Sequence, residues 1–239
     1  MNLQNKKINL RLDWATHEAA KYACENWHYS KSLPSGKMVK IGVWEDGNFV
    51  GVVLFSQGAT PHIASPYKMN LFDVCELTRV ALTKHKSEVS KILSNAIKLL
   101  KKTCPKLKLI VSYADIDQNH AGGIYKANNW IYEGIKNQNT RSAFIIKGKK
   151  VHPRTIGSSG GVQSLTWIRK NLDPKAKEFI SLGKHKYLFP LDEQTKTKII
   201  HLHKPYPKCV LSADSGTLGS QPRGGGATPT NTLQFQNAK

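Results

Sequence analysis

Apolar residues recur along this chain with two different periods. In residues 14–27, Ala19, Ala20, Ala23 and Cys24 share one helical face. The spacing predicts a helix, with Asp13 as a suitable N-cap and Glu18 as an early acidic charge. Residues 28–37 hold Pro34 and Gly36 among serines and lysines, lose the period and predict a loop. Residues 38–44 and 49–55 are β-rich runs on either side of Asp46-Gly47, a pair suited to a tight turn with positive φ, and they predict a hairpin. Residues 74–82 predict a third strand. Val89, Ile92, Leu93, Ala96, Ile97 and Leu100 then repeat at helical spacing, with lysines elsewhere around the helix, until Pro105 ends it. Residues 107–113 predict a buried strand, 115–123 a polar loop, and Ile124, Tyr125 and Ala127 a short helix stopped by Asn128-Asn129. Residues 130–135 and 142–147 predict two final strands, and helices are expected near 162–170 and 193–203.

This order predicts an α/β (α+β) fold, a mixed β-sheet flanked by helices. The expected organisation is a catalytic domain over 1–150, a basic helical or loop extension over 151–211 packed on it, and a disordered tail over 212–239. The tail is rich in Gly, Ser, Pro and Thr and carries too little apolar surface to offset the cost of ordering.

Charge adds a partner. The chain has 36 Lys+Arg against 16 Asp+Glu, a formal net charge of +20. Residues 1–150 hold +12 of it and residues 151–208 hold +7, so a folded surface rather than a tail carries the excess. Such a surface suits a polyanion, nucleic acid before membrane. No apolar run reaches the ~18 residues of a membrane span. The N-terminus shows no apolar signal segment. Four scattered cysteines without a Cys-x-x-Cys pair argue against a disulfide or zinc framework and for a reduced cytoplasm.

The order of elements is that of the GNAT N-acetyltransferase fold. Residues 121–130 resemble the late GNAT segment in which a helix carrying Tyr leads into a strand, which makes Tyr125 a candidate general acid: a phenol can donate a proton while staying neutral beforehand. GNAT enzymes cradle a pyrophosphate on a Gly-rich loop after the central strand. Here that stretch, 82–88, has no glycine. Lys84 and Lys86 beside a helix N-terminus are the alternative phosphate ligands.

Several motifs carry a closer resemblance: Trp27-His28-Tyr29-Ser30, Pro34-Ser35-Gly36-Lys37, Cys75-Glu76-Leu77-Thr78-Arg79-Val80-Ala81-Leu82, Ser112-Tyr113-Ala114-Asp115 and Gly123-Ile124-Tyr125-Lys126-Ala127. In this order they resemble the Mom family of bacteriophage DNA-modification proteins, from about residue 23 through 150 and toward 208. The resemblance implies modification of adenine at N6 in double-stranded phage DNA, leaving a carbamoylmethyl group that shields the DNA from host restriction, in the cytoplasm of the infected bacterium. It also implies iron held by His28, Tyr29, Asp115 and Tyr125, a donor set of imidazole, phenolate and carboxylate that suits iron. The product contains a nitrogen that acetyl-CoA cannot supply, so simple acetyl transfer is insufficient: another acyl or glycyl donor, or a redox-capable metal, must enter in place of acetyl-CoA or beside it.

Tyr125, Asp115, Arg79 and Glu76 are the candidate catalytic residues. Arg79 in mid-strand would pair with Glu76 or Asp73, or serve a donor or substrate. Ser112 and His120 are candidates for contact with substrate, and His120 also for the metal. Lys31, Lys37, Lys149 and Arg154 are candidates for contact with DNA, and Trp27, Trp130 or Tyr67 for stacking on a flipped base. A homodimer is compatible with the sequence but not required by it. The rival readings are a conventional GNAT N-acetyltransferase acting on an amine and a non-catalytic DNA-binding protein.

Overall fold

A computed structural model describes residues 8–58 and 60–207. The chain runs through β1 (Leu10–Trp14), α1 (His17–Trp27), β2 (Met38–Glu45), β3 (Asn48–Ser56), β4 (Val74–Leu82), α2 (Val89–Thr103), β5 (Leu109–Asp115), α3 (Gly123–Ala127) and β6 (Ile131–Lys136). It continues through β7 (Thr140–Ile146), β8 (Lys149–Val151), α4 (Pro153–Ser158), α5 (Leu165–Asn171), β9 (Lys177–Ser181), β10 (Lys184–Pro190) and α6 (Glu193–Ile199). Seven strands form one mixed sheet in the order β1-β2-β3-β4-β5-β10-β6, and β8-β7-β9 form a second, small sheet.

The expected mixed α/β sheet flanked by helices is what the chain builds. Strand periodicity sends alternate side chains to opposite faces. Val53 and Phe55 of β3 join Cys75, Leu77 and Ile110 under Ile92, Leu93, Ala96 and Leu100 of α2. Val52 and Leu54 face the other way, against Ala20, Ala23 and Cys24 of α1. The small-residue face of α1 lets that helix lie close to the sheet. Its N-cap is Thr16, whose hydroxyl accepts the Ala19 N–H at 3.1 Å, and not Asp13. Residues 10–14 pair with β2 as a strand that five residues of weak alternation did not announce. The hairpin turn holds Asp46 at φ 50° and Gly47 at φ 85°, as its two residues require.

The expected domain break at residue 150 is corrected. β10, from residues 184–190, lies between β5 and β6 in the large sheet, with Tyr187 and Leu188 fully buried. Residues 137–183 are therefore an insertion within a β6–β10 hairpin. The stretch expected as the last strand of the main sheet, 142–147, contributes instead to the middle strand of the small one. Alternation identifies a strand but not its partner, and this partner lies beyond two short helices. The insertion has its own core of Phe144, Ile156, Ile168 and Ala176. The expected disordered tail, 212–239, lies outside the described residues.

Every neighbouring pair in the large sheet is antiparallel except β4–β5. That parallel pairing joins Val74–Leu77 to Leu109–Ser112 and stops there. On the other edge of β4 the register with β3 shifts, Leu54 facing Arg79 and Phe55 facing Leu77, so Thr78 is an extra, bulged residue. Beyond Leu77 and Ser112 the two strands part, leaving a cleft at their carboxyl ends, where open α/β sheets place ligands.

Gly51 occupies the middle of β3 at φ 146°. A Cβ there would lie 2.1 Å from the Ala81 carbonyl oxygen and 2.8 Å from the Leu82 Cα. Gly51→Ala should cost about 3 kcal/mol and lower the Tm by roughly 6–12 °C. Gly123→Ala, where nothing lies within 4 Å of the new Cβ, is the control expected to keep its Tm. Thermal denaturation followed by circular dichroism distinguishes the two, and equal Tm values would refute the close approach.

Candidate active site

Five segments meet at the cleft. β4 supplies Arg79, β5 supplies Ser112 and Asp115, the turn after α1 supplies His28 and Tyr29, the loop after β5 supplies His120, and α3 supplies Tyr125. The Tyr125 hydroxyl lies 2.8 Å from Ser112 Oγ, and Ser112 Oγ donates to the Leu77 carbonyl at 3.0 Å, at the last paired rung of β4 and β5. The His28 and Tyr29 rings are 4.3 Å apart, and Tyr29 meets His120 edge-on at 5.3 Å. The charge of Asp115 is felt at Tyr29, and those of Arg79 and His120 at His28. Glu76 acts on Tyr125 through its charge. The catalytic and metal candidates named from sequence, with Ser112 and His120, thus share one neighbourhood.

Local geometry fixes most of them. Asp115 accepts the Asp117 N–H at 3.0 Å, which starts a tight turn over residues 116–118, and its carbonyl accepts the His120 N–H at 3.1 Å. Gly122, at φ 75°, then lets the chain pass over the Tyr187 ring, where a Cβ would come within 2.5 Å of the ring. Tyr187 donates to the Ala121 carbonyl at 2.6 Å. Tyr125 is held between Tyr187 and Trp130, with centroids 4.6 and 4.9 Å away. Lys184, opposite Asp115 in the β5–β10 register, brings its Nζ to 4.0 Å from that carboxylate. Its separation of 69 residues in sequence gave no signal of this contact.

The phenols and imidazoles of the cluster are held toward their neutral forms. Burial pushes the Tyr125 phenol up to about 12, against the hydrogen bond it shares with Ser112, which works to lower it. Burial, and after it the charges of Arg79, His120 and Lys31, pull His28 down to about 3. Burial also lowers His120, with Asp115 working the other way. Tyr29 is raised by burial and then by Asp115, although half of its surface is exposed, which screens the effect. The guanidinium of Arg79 stands beside this neutral set. Asp73, one partner expected for it, pairs instead with Lys108 at 3.2 Å. Arg79 Nη1 donates to the Thr78 carbonyl at 2.8 Å, while its Nε is buried with no hydrogen-bond partner. A buried orphan donor is rare and costly, and here it marks a place for an acceptor on a ligand.

Of the DNA candidates, Lys31 adjoins the cluster, its N–H donating to the His28 carbonyl at 3.0 Å and its charge acting on that imidazole. Lys31, Lys37, Lys149 and Arg154 are exposed, the first two in the loop after α1 and the others in the insertion. Lys31 donates to the Asn26 carbonyl at 2.9 Å. The stacking candidates are corrected: Trp130 is fully buried against Tyr125 and Phe189, Tyr67 is buried with its hydroxyl donating to Glu133 at 2.5 Å, and Trp27 packs on Tyr22 and Phe49. The half-exposed ring of the cluster is Tyr29.

The iron centre expected at His28, Tyr29, Asp115 and Tyr125 gains no support from the structure. His28 Nδ1 accepts the Ser30 N–H at 3.1 Å and meets Ser30 Oγ at 2.8 Å, a pattern that assigns the proton to Nε2. Both phenols are held toward the protonated form, so a metal binding there would release their protons. Among the described residues, no group of three or more His, Cys, Asp or Glu side chains is placed to hold a metal ion. The structure adds no support for iron at these residues, and no step below passes through it.

A diphosphate fares no better at the loop between β4 and α2. The backbone N–H groups of Lys86 and Ser87 donate to the Glu45 carboxylate at 2.8 and 2.6 Å. Burial opposes the charge of Glu45, but these bonds outweigh it and hold the carboxyl below its usual range. A cavity of about 280 Å³ beside it is lined by Glu45, Lys84, His85 and Lys86. A diphosphate entering there would meet a carboxylate where it needs free amides. No step below passes through coenzyme A.

The Mom protein family model matches residues 9–208 of the chain. A curated relative, methylcarbamoylase mom of Escherichia phage Mu, is 22% identical over 208 residues, which cover 83% of this chain and 84% of the relative. Among solved structures, a putative acetyltransferase from Acinetobacter baylyi ADP1 aligns with a TM-score of 0.45 at 12% identity, covering 78% of this chain and 94% of its own. The AHL synthase LasI aligns with a TM-score of 0.38 at 9% identity, covering 84% and 99%.

The neutral burial of His28 has a signed consequence. Its pKa falls from an unfolded value near 6.5 to about 3 in the fold, so the unfolded chain binds the extra proton. Its contribution to stability is complete above pH 6.5 and is lost progressively as the pH falls from there toward 3. Urea denaturation between pH 7 and 4.5 should show a shallower loss of stability for His28→Asn than for the unaltered chain. Parallel pH dependences would show that His28 is not buried in its neutral form.

Proposed function

The chain belongs to the Mom protein family, and from that premise we propose that it is a transferase that modifies DNA, converting adenine in double-stranded phage DNA to N6-carbamoylmethyladenine. The observation that carries this reading is the convergence of Arg79, Asp115, His120 and Tyr125 on one cleft, with the Arg79 Nε buried and unpartnered there. The setting is the cytoplasm of an infected bacterium, and the modified DNA would resist host restriction.

The substrate amine explains the composition of the cleft. Adenine N6 is a weak nucleophile, because its lone pair is shared with the purine ring. It needs an acceptor for the proton it sheds as a bond to carbon forms. Asp115 is the acceptor at hand, with His120 held beside it by the same turn. The leaving group of the donor needs a proton in return, and Tyr125 holds one at its hydroxyl with Ser112 directing it. Arg79 supplies a buried donor for an anionic or carbonyl oxygen of the transferred unit, as charge develops there. Glu76 tunes Tyr125 through its charge. Tyr29 offers a half-exposed ring to an extruded base. The transferred unit is CH2–C(=O)–NH2, bonded to N6 through its methylene carbon, so the donor is a carbamoylmethyl compound with a leaving group on that carbon. The N6–C bond forms as the bond to the leaving group breaks, the N6 proton passes to Asp115, and the leaving group departs with the Tyr125 proton.

A conventional N-acetyltransferase is the second reading, since Tyr125 would serve equally as its acid. The placement of Glu45 on the Lys86 and Ser87 amides weighs against it.

Nucleoside mass spectrometry of DNA from cells expressing the chain should detect carbamoylmethyl-deoxyadenosine. Asp115→Ala should reduce it below detection. Tyr125→Phe should reduce it by about 10²–10⁴-fold. Both variants should keep a cooperative thermal transition. Unmodified adenine in well-expressing cells supplied with the phage's other gene products would defeat the proposal. N6-acetyladenine or acetylation of a small amine would favour the second reading.

A further inference from the structure

We propose that the insertion over residues 137–183 is a docking arm for the phosphate backbone of duplex DNA, fixed to the turn that carries the reactive carboxylate. The inference rests on the reading of DNA as substrate and adds where the duplex is held.

Charge is concentrated in the arm. Its 47 residues hold nine Lys and Arg against two acids, a net +7, whereas the other 192 residues together hold +13. Both of its acids are committed inside it. Asp173 accepts the backbone N–H groups of Lys147 at 2.7 Å and Lys175 at 2.9 Å, and Glu178 pairs with Arg141 at 3.0 Å. The Asp173 bonds draw the β7–β8 turn against the loop before β9. Lys147 and Lys175 are thereby gathered at one end of the small sheet. Lys149 opens β8, and Arg154 stands in the first turn of α4, both exposed. Asp173 offsets part of the charge of Lys147 and Lys175, while Glu178 is paired with Arg141 and neither acid of the arm is paired with Lys149 or Arg154.

The arm is a folded body with its own core around Phe144 and Ile168, so its cations are displayed on a fixed frame. It is also riveted to the cleft. Asp117 accepts Ser181 Oγ at 2.8 Å and the Leu182 N–H at 2.9 Å, and faces Lys150 Nζ at 3.5 Å. The Ile116 N–H donates to the Gly183 carbonyl at 3.2 Å. Asp115 itself donates no side chain to this joint, but begins the turn that makes it. A duplex seated on the arm is thus registered against the residues that act on adenine. Fixed cations in large excess over the two acids among them match a ligand that presents phosphates at regular spacing and releases counterions on binding.

The test uses the full chain and a short fluorescein-labelled duplex, with anisotropy measured between about 50 and 200 mM salt. One variant combines Lys147→Gln, Lys149→Gln, Arg154→Gln and Lys175→Gln. A second removes the same charge from the α2 side with Lys91→Gln, Lys98→Gln, Lys102→Gln and Lys106→Gln. The arm variant should bind at least about tenfold more weakly and lose up to about 3–4 units of the log K versus log salt slope, near 0.9 for each phosphate contact. The α2 variant should keep most of the slope. Equal loss in the two variants, unchanged binding by the arm variant, or no duplex binding by the unaltered chain would each overturn the proposal. The outcomes separate from those of the enzymatic reading. Arm-dependent binding without modified adenine leaves the arm and defeats the chemistry, while adenine modified equally by the arm variant does the reverse.

Discussion

The parting of β4 and β5 governs this molecule. Four rungs of parallel pairing tie Val74–Leu77 to Leu109–Ser112, and the bulge at Thr78 coincides with the end of that pairing. A strand pair that separates inside a sheet leaves backbone groups without their ladder partners, and something else must meet them. Ser112 does part of this by donating to the Leu77 carbonyl. Arg79 does another part by reaching back to the Thr78 carbonyl. Both side chains are thereby aimed into the gap, and both face the cluster around Tyr125. The site is the sheet's own solution to a broken ladder, with one guanidinium nitrogen left over.

Burial then sets the chemistry of that cluster. A low-dielectric pocket disfavours charge, and it acts in the same sense on Tyr125 and on His28: the phenol keeps its proton and the imidazole does not gain one. The pocket so keeps both groups neutral, and Tyr125 in particular retains a proton at its hydroxyl. The single bond to Ser112 is the one contact that works against burial at Tyr125. Glu45 applies the same rule at the other end of the cleft's helix. Its carboxylate stays ionised because two backbone N–H groups hold it, and in holding it they are withdrawn from any outside anion.

Much of this was legible in the sequence where the signal is local. The 74–82 strand, the Asp46-Gly47 turn and the apolar stripe of α2 are set by neighbours within a few residues, and they form as their periods require. The assembly of His28, Tyr29, Arg79, Asp115 and Tyr125 was read through family motifs, since these positions share no period or spacing that would join them. What escaped depends on distant partners. β10 could not be assigned to the main sheet from its own alternation, because β7 alternates too and comes first. Trp130 and Tyr67 looked available for stacking because an aromatic carries no mark of burial in isolation; the first is enclosed by Tyr125 and Phe189, the second by its bond to Glu133.

The position of the insertion follows from the same geometry. A hairpin between β6 and β10 has its connection where β10 begins, and β10 begins opposite Asp115, with Lys184 facing that residue. A module spliced into this connection must emerge beside the turn after β5, whatever its own fold. Asp117 exploits the proximity: it is the second residue of that turn's helix and the acceptor for Ser181 and Leu182 at the module's exit. Any torque on the module is therefore transmitted to the loop holding Asp115 and His120, through a carboxylate that is shielded from water on its own side chain. An appendage at either terminus would have no such leverage, because β1 is at the far edge of the sheet and the chain after α6 leaves from the other end of β10.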